Sequence, residues 1–198
     1  MRYINQLEYA HIPYITRTSL QGEQYEKGQN TTVRSSGCGL CAAIMAVDRL
    51  LPNVEFTLEQ AVELSYESKA NTMVGTNYSC YAPAVARKFG LKVQASMDEK
   101  DLQNCLRTGG AAVVQVRGDR NGQKGLFTNG GHYMTVVWEE PDGRFAILDP
   151  SYREGKFNDP DRQGKVEVKN DNVILCSPEI LAQEARPDRF HYYLFWRK

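Results

Sequence analysis

Between Cys38 and Leu51 apolar residues recur at helical spacing, at Leu40, Ile44, Val47 and Leu51, with Ala42, Ala43 and Ala46 filling in as good helix formers. This period predicts a helix that Pro52 ends. Thr57 and Gln60 then read as a capping box, and Leu58, Ala61, Val62 and Leu64 give a second helix its apolar face to about Ala70. Beyond a loop containing Gly75, a short amphipathic helix runs from Tyr81 to Phe89 and stops at Gly90, a residue suited to a helix C-terminus. Leu91 to Ala95 alternates like a strand, and Ser96 or Asp98 caps a further helix through Leu102 and Leu106 to the Gly109-Gly110 break.

From Ala111 the period changes. Ala111 to Val116 and His132 to Trp138 read as buried strands, and the turn Glu140-Pro141-Asp142-Gly143 folds the second one back onto Arg144 to Leu148 as an antiparallel hairpin. Ser151 to Asn172 is charged and punctuated by glycine, with one strand candidate at Lys165 to Val168, and the chain closes on a strand candidate at Phe190 to Trp196. The first 36 residues are polar and show no helical period; His11 to Ile15 is their one extended candidate. Helices gather in the N-terminal half and strands in the C-terminal half, the order of an α+β fold. With no repeat, linker or low-complexity segment, residues 1–198 are expected to form a single domain.

Charge and cysteine usage narrow the function classes. Lys+Arg and Asp+Glu are balanced at 24 each, so no bulk field draws the chain to nucleic acid or an anionic membrane. Its apolar runs fall far short of the roughly 20 residues a membrane-spanning helix needs, and the start Met1 to Gln6 lacks a signal-peptide apolar region. The five cysteines are an odd set that cannot pair completely within one chain. Both facts favour a reducing, cytoplasmic setting. Cys41, Cys105 and Cys176 lie among apolar neighbours and are expected to pack as small hydrophobes; Cys80 is open to either burial or exposure.

Cys38 stands apart, because it sits where the polar turn Ser36-Gly37 becomes a helix. A helix N-terminus stabilises an anion and so favours thiolate. A nucleophilic thiolate also needs a base, and His132, which opens a strand after Gly130-Gly131, is the candidate; those glycines would allow close approach of a neighbouring element or a ligand. Asp149 lies near the same end of the hairpin as His132 and is the natural acceptor for the second ring nitrogen. Helix-start Cys, Gly-Gly-His strand and strand-end Asp together point to a Cys-His-Asp nucleophilic site. His11 and His191 are expected to be packed or at the surface.

These residues resemble a known family. Ser35-Ser36-Gly37-Cys38-Gly39 before a small-residue helix containing Ala43-Ile44-Met45, then Gly130-Gly131-His132-Tyr133 and Asp149-Pro150, look like the papain-like cysteine peptidases of the bacteriocin-leader-processing type and their stand-alone bacterial relatives. The likeness spans roughly Ile12 to Pro150. It implies a papain-like α+β fold with the nucleophile helix packed on an antiparallel sheet. It also implies Cys38 as nucleophile, His132 as general base and acid, Asp149 as orienting residue, a peptide or other amide as substrate, and no metal or organic cofactor. Two positions depart from the pattern: Leu40 stands where the family has a proline in the first helical turn, and after Ile12-Pro13-Tyr14-Ile15-Thr16, where the family has a glutamine that helps bind the oxyanion, Arg17 stands instead. Arg17 and Gln21 are the candidates for that donor, with Gln24 and Gln29 nearby.

Other readings compete. Cys38-Gly39-Leu40-Cys41 is a C-x-x-C motif at a helix start, but the preceding Asn30 to Ser35 is polar where a thiol-disulfide oxidoreductase needs a buried strand. Zinc would need a second C-x-x-C or an H-x-x-x-H, and the sequence has neither. Arg17 favours a different class of protein, a catalytically silent papain-like module that binds a peptide or protein in the old cleft.

Overall fold

The computed structural model describes residues 1–17, 27–72 and 75–198. A 3-10 turn at Gln6–Glu8 precedes β1 (Pro13–Arg17), which pairs antiparallel with β2 (Lys27–Thr32). One helical turn, α1 (Val33–Ser36), leads into α2 (Cys38–Leu50), followed by α3 (Leu58–Glu67), the two-residue strands β3 (Asn71–Thr72) and β4 (Gly75–Thr76), and α4 (Tyr78–Phe89). The rest of the chain comprises β5 (Leu91–Ser96), α5 (Glu99–Arg107), β6 (Ala111–Val116), β7 (His132–Glu139), β8 (Phe145–Leu148), β9 (Val166–Val168), β10 (Val173–Cys176), α6 (Pro178–Glu184) and β11 (Tyr192–Arg197). Seven of these strands form one antiparallel sheet in the order β5-β11-β6-β7-β8-β10-β9.

The period-2 pattern of the strands builds two cores. Ala111 and Val113 of β6, with Tyr133 and Val137 of β7, join the core made with α2, α3 and α4, while Ala112, Val114, Met134 and Val136 join the core made with α5 and α6. Both sheet faces are covered, which is why β6 is apolar throughout instead of alternating. Helix α2 is buried on nearly every side from Gly39 to Val47. Its small residues let it pass between the sheet and the other helices. Two polar contacts lock it to β7: Thr135 Oγ1 donates to the Ala42 carbonyl at 2.8 Å, and Arg49 Nε donates to the Val137 carbonyl at 3.1 Å.

The longer sequence-based elements recur, while β2, α1, β3 and β4 were not anticipated, and further differences bear on the site. Helix α4 starts one turn earlier than Tyr81, because the Asn77 side chain accepts from the Ser79 N–H and caps it there. The strand β10 and the helix α6, capped by Ser177 with Pro178 in its first turn, were not anticipated, so one helix lies in the strand-rich half. Gly130 and Gly131 do not serve close packing: a Cβ at either would meet nothing within 4 Å. The close approach falls at Gly118, where a Cβ would sit 2.1 Å from the Asn129 carbonyl oxygen, so the segment leading into His132 lies against Gly118. Among the described residues no helix is long and apolar enough to cross a membrane.

Candidate active site

Cys38 is the first residue of α2 and is partly buried, with Gly37 before it as N-cap. Gly39 keeps the helix start tight: a Cβ there would lie 2.9 Å from Thr76 Cβ and 3.0 Å from Tyr78 Cε2. Tyr78 adds a second constraint, donating its hydroxyl to the Gly39 carbonyl at 2.6 Å and stacking on Tyr133 with ring centroids 4.4 Å apart. The start of α2 that carries the thiol is thereby tied through Tyr78 of α4 to Tyr133 near the start of β7.

His132 opens β7, paired with Val116 of β6, and is 5% exposed. Its Nε2 lies 2.7 Å from Asp149 Oδ1 and 3.1 Å from Ser151 Oγ. With Nε2 committed there, Nδ1 is the ring nitrogen that remains to act on the Cys38 thiol. Burial raises the Cys38 thiol pKa, but the hydrogen bond and charge of His132, with backbone N–H groups of Tyr133 and Gly39, more than offset it and bring the thiol below its ordinary value. Burial works against the imidazolium too, yet Asp149 and then Cys38 push His132 up to about 9. Both shifts run in the direction of a thiolate-imidazolium pair.

Asp149 is fully buried. Burial alone would raise its carboxyl, but the charges of Lys156 and His132 hold it well below the usual carboxylate range. Lys156 Nζ donates to Asp149 Oδ2 and, at 2.9 Å, to Ser151 Oγ. The Ser151 N–H and O–H donate to Asp149 Oδ1 at 2.8 and 3.0 Å. The loop is held from the far end of the chain: Tyr3 donates its hydroxyl to the Asp149 carbonyl at 2.8 Å, Gln6 N–H to the Pro150 carbonyl at 2.7 Å, and Asn5 Nδ2 to the Tyr152 carbonyl at 3.0 Å.

The three residues singled out from sequence thus lie together. Ser151 and Lys156 were missed. The signal for Ser151 was in the hairpin: β7 and β8 pair Thr135 with Leu148, and that register carried onward sets Ser151, not Asp149, opposite His132. Lys156 sits in the charged loop and left no such trace. Of the oxyanion candidates, Arg17 ends β1 with its side chain outside the described residues, and Gln21 lies outside them altogether. Tyr14, Tyr78 and Tyr81 are fully buried and belong to the core. Cys41, Cys105 and Cys176 are buried free thiols; Cys80 is partly exposed. His11 is exposed and His191 buried. Among the described residues no three His, Cys, Asp or Glu side chains converge as a metal site requires. A hollow of about 570 Å³ at the turn end of the β7–β8 hairpin, between Arg107 and Trp138, contains none of the site's groups.

No protein-family model matches the chain, and no curated protein matches it in sequence. Solved structures do. The peptidase domain of Streptococcus ComA, a bifunctional ABC transporter of a quorum-sensing pathway, superposes with a TM-score of 0.52 at 14% identity, covering 93% of this chain and 99% of that domain. A structure described as a C39-like peptidase from Bacillus anthracis gives 0.52 at 11% identity, covering 100% of this chain and 94% of its own. At these identities the likeness concerns architecture alone: the chain has the papain-like α+β fold of C39 peptidase domains.

Proposed function

We propose that the chain is a cysteine-dependent amide hydrolase, most simply a peptidase, acting through Cys38, His132 and Asp149. The observation that carries this reading is the buried His132 ring, held by Asp149 on Nε2 and meeting a depressed Cys38 thiol at the start of a helix. The ComA domain and the Bacillus anthracis protein, both described as peptidases, supply the analogy for a peptide substrate. In the cycle the Cys38 thiolate adds to the amide carbonyl, forming a C–S bond. The Cys38 backbone N–H and a side chain of the early segment stabilise the oxyanion. His132 gives its proton to the amine as the C–N bond breaks, leaving a thioester. Water, deprotonated by His132, then adds to the thioester, the C–S bond breaks, and the carboxylic product and thiolate are regenerated. Asp149 keeps the imidazole oriented throughout. An amine in place of water would make the same site a transferase.

Arg17, standing where the resembled family has glutamine, favours a second reading as a silent peptide-binding module. Iodoacetamide labelling against pH separates the two. A working site alkylates Cys38 well below pH 8, loses that reactivity in His132→Ala, and loses turnover in Cys38→Ala with the fold retained. Labelling no faster than a free thiol across the range refutes the hydrolase.

A further inference from the structure

His132 does not have Asp149 to itself. The carboxylate is divided between two cations: Oδ1 faces His132 Nε2 at 2.7 Å, and Oδ2 faces the Lys156 ammonium. Ser151 bridges the two halves, its Oγ lying 3.1 Å from His132 Nε2 and 2.9 Å from Lys156 Nζ. The Lys156 side chain is only 7% exposed, and this matters because buried charges interact through little solvent. Its place is firm as well. Lys156 lies in a turn closed by its N–H on the Arg153 carbonyl, and the next residue, Phe157, packs edge-on against Phe127 in the second core.

A lone carboxylate against an imidazole would hold the imidazolium tightly. That helps a thiolate form, but it makes the ring a reluctant acid when the leaving amine needs a proton. A second cation on the other carboxylate oxygen weakens that hold and repels the ring's own charge. We propose that Lys156 is a positioning residue that sets the basicity of His132 through the shared Asp149 carboxylate, and with it the pH range of the Cys38–His132 ion pair. The inference rests on the hydrolase reading for its purpose, though not for its test.

The other titratable groups around the cluster are Tyr3 from the N-terminal segment, Tyr152 from the same loop, Cys41 from α2 and Tyr133 from β7. Burial pushes Tyr3, Cys41 and Tyr133 upward, so they stay neutral while the pair titrates. The next charges out, Glu8, Arg2 and Arg186, act on Tyr3, Cys41 and Tyr133 in turn. Lys156 is therefore the cation that, apart from His132 itself, Asp149 answers to.

The test is the pH dependence of Cys38 alkylation by iodoacetamide in the full chain. The rate changes in two steps, one as the thiol ionises and one as His132 loses its proton near pH 9. In Lys156→Met the second step should move up by roughly one pH unit, the usual scale for a charge at this range. Lys156→Arg, which keeps the charge, should restore the wild-type position. Lys156→Gln serves in place of the methionine variant should that one melt below the assay temperature. A folded neutral variant whose second step stays put overturns the proposal, as does an arginine variant that shifts as far as methionine. If neither neutral variant folds, the lysine is a structural ion-pair partner and the proposal fails. Should wild-type Cys38 react only as a free thiol, the hydrolase reading falls alone. The His132 ring titration, followed by NMR and assigned with His132→Ala, then reads the same shift without the thiol.

Discussion

Replacing Cys38 with serine should make stability fall with rising pH in a window where the wild type is comparatively flat. His132 is raised from 6.5 to about 9; burial opposes the rise, while Asp149 and Cys38 produce it. A group with a raised folded pKa contributes stability that is complete below its unfolded value and lost as pH climbs through the folded one. For His132 the interval from 6.5 to about 9 corresponds to about 3 kcal/mol in full. Cys38 runs the other way. Its pKa is lowered from 9.0, so its contribution is complete above 9.0 and lost as pH falls through the folded value. Where the two windows overlap, the folded protein keeps on His132 the proton that the unfolded chain keeps on the thiol. Proton counts then match, and the two slopes cancel. Serine removes the thiol's share and leaves the histidine's, reduced by the part of the rise that came from Cys38. The variant should thus lose stability more steeply than the wild type as pH rises from 6.5 toward 9, by less than the full histidine contribution of about 3 kcal/mol. Urea unfolding at fixed ionic strength and half-unit pH intervals, in reductant and followed by Trp138 and Trp196 fluorescence, measures the difference; all other titrations are common to both proteins. A Cys38→Ser curve parallel to the wild type would refute the ion pair and the reasoning built on it.

Gly39→Ala should destabilise by about 1–3 kcal/mol, the usual cost of overpacking, because its Cβ meets Thr76 and Tyr78 at 2.9 to 3.0 Å; thermal melting reads the loss, and slower Cys38 alkylation in the folded variant reads the displaced helix start. Asp149→Asn leaves Lys156 and His132 buried without their carboxylate, which should cost about 3–5 kcal/mol and move the His132 step downward from about 9. Acylation by an activated ester should fall less in that variant than on removing Cys38 or His132, as expected of an orienting group.

What the sequence made legible follows the physics of repetition. Helix α2 announced itself through Leu40, Ile44 and Val47, and the β7–β8 hairpin through two apolar runs about an Asp-Gly turn, so the elements carrying Cys38, His132 and Asp149 could be drawn in advance. Strand β2, with the sequence Lys-Gly-Gln-Asn-Thr-Thr, has no apolar alternation and exists through backbone pairing with β1, which no pattern could reveal. Val173–Cys176 is an apolar run too short to classify alone, yet Ser177-Pro178 after it was a readable helix start. Lys156 was hidden for a different reason. A lysine in a charged, glycine-rich stretch looks like any solvated residue, and its burial arises only when Phe157 inserts into the core and the ammonium meets Asp149.

The bonds from Tyr3, Asn5 and Gln6 to the loop around Asp149 carry a consequence for the order of assembly. They join residues 144 to 147 positions apart, so they are among the contacts that demand the most chain closure during folding. Helix α2 closes its backbone bonds locally, whereas these bonds to the loop that holds His132 need both ends of the span to have met. The expected consequence is that any enhanced reactivity of the Cys38 thiol is gained in the last step of refolding, which alkylation of Cys38 at intervals during refolding would read.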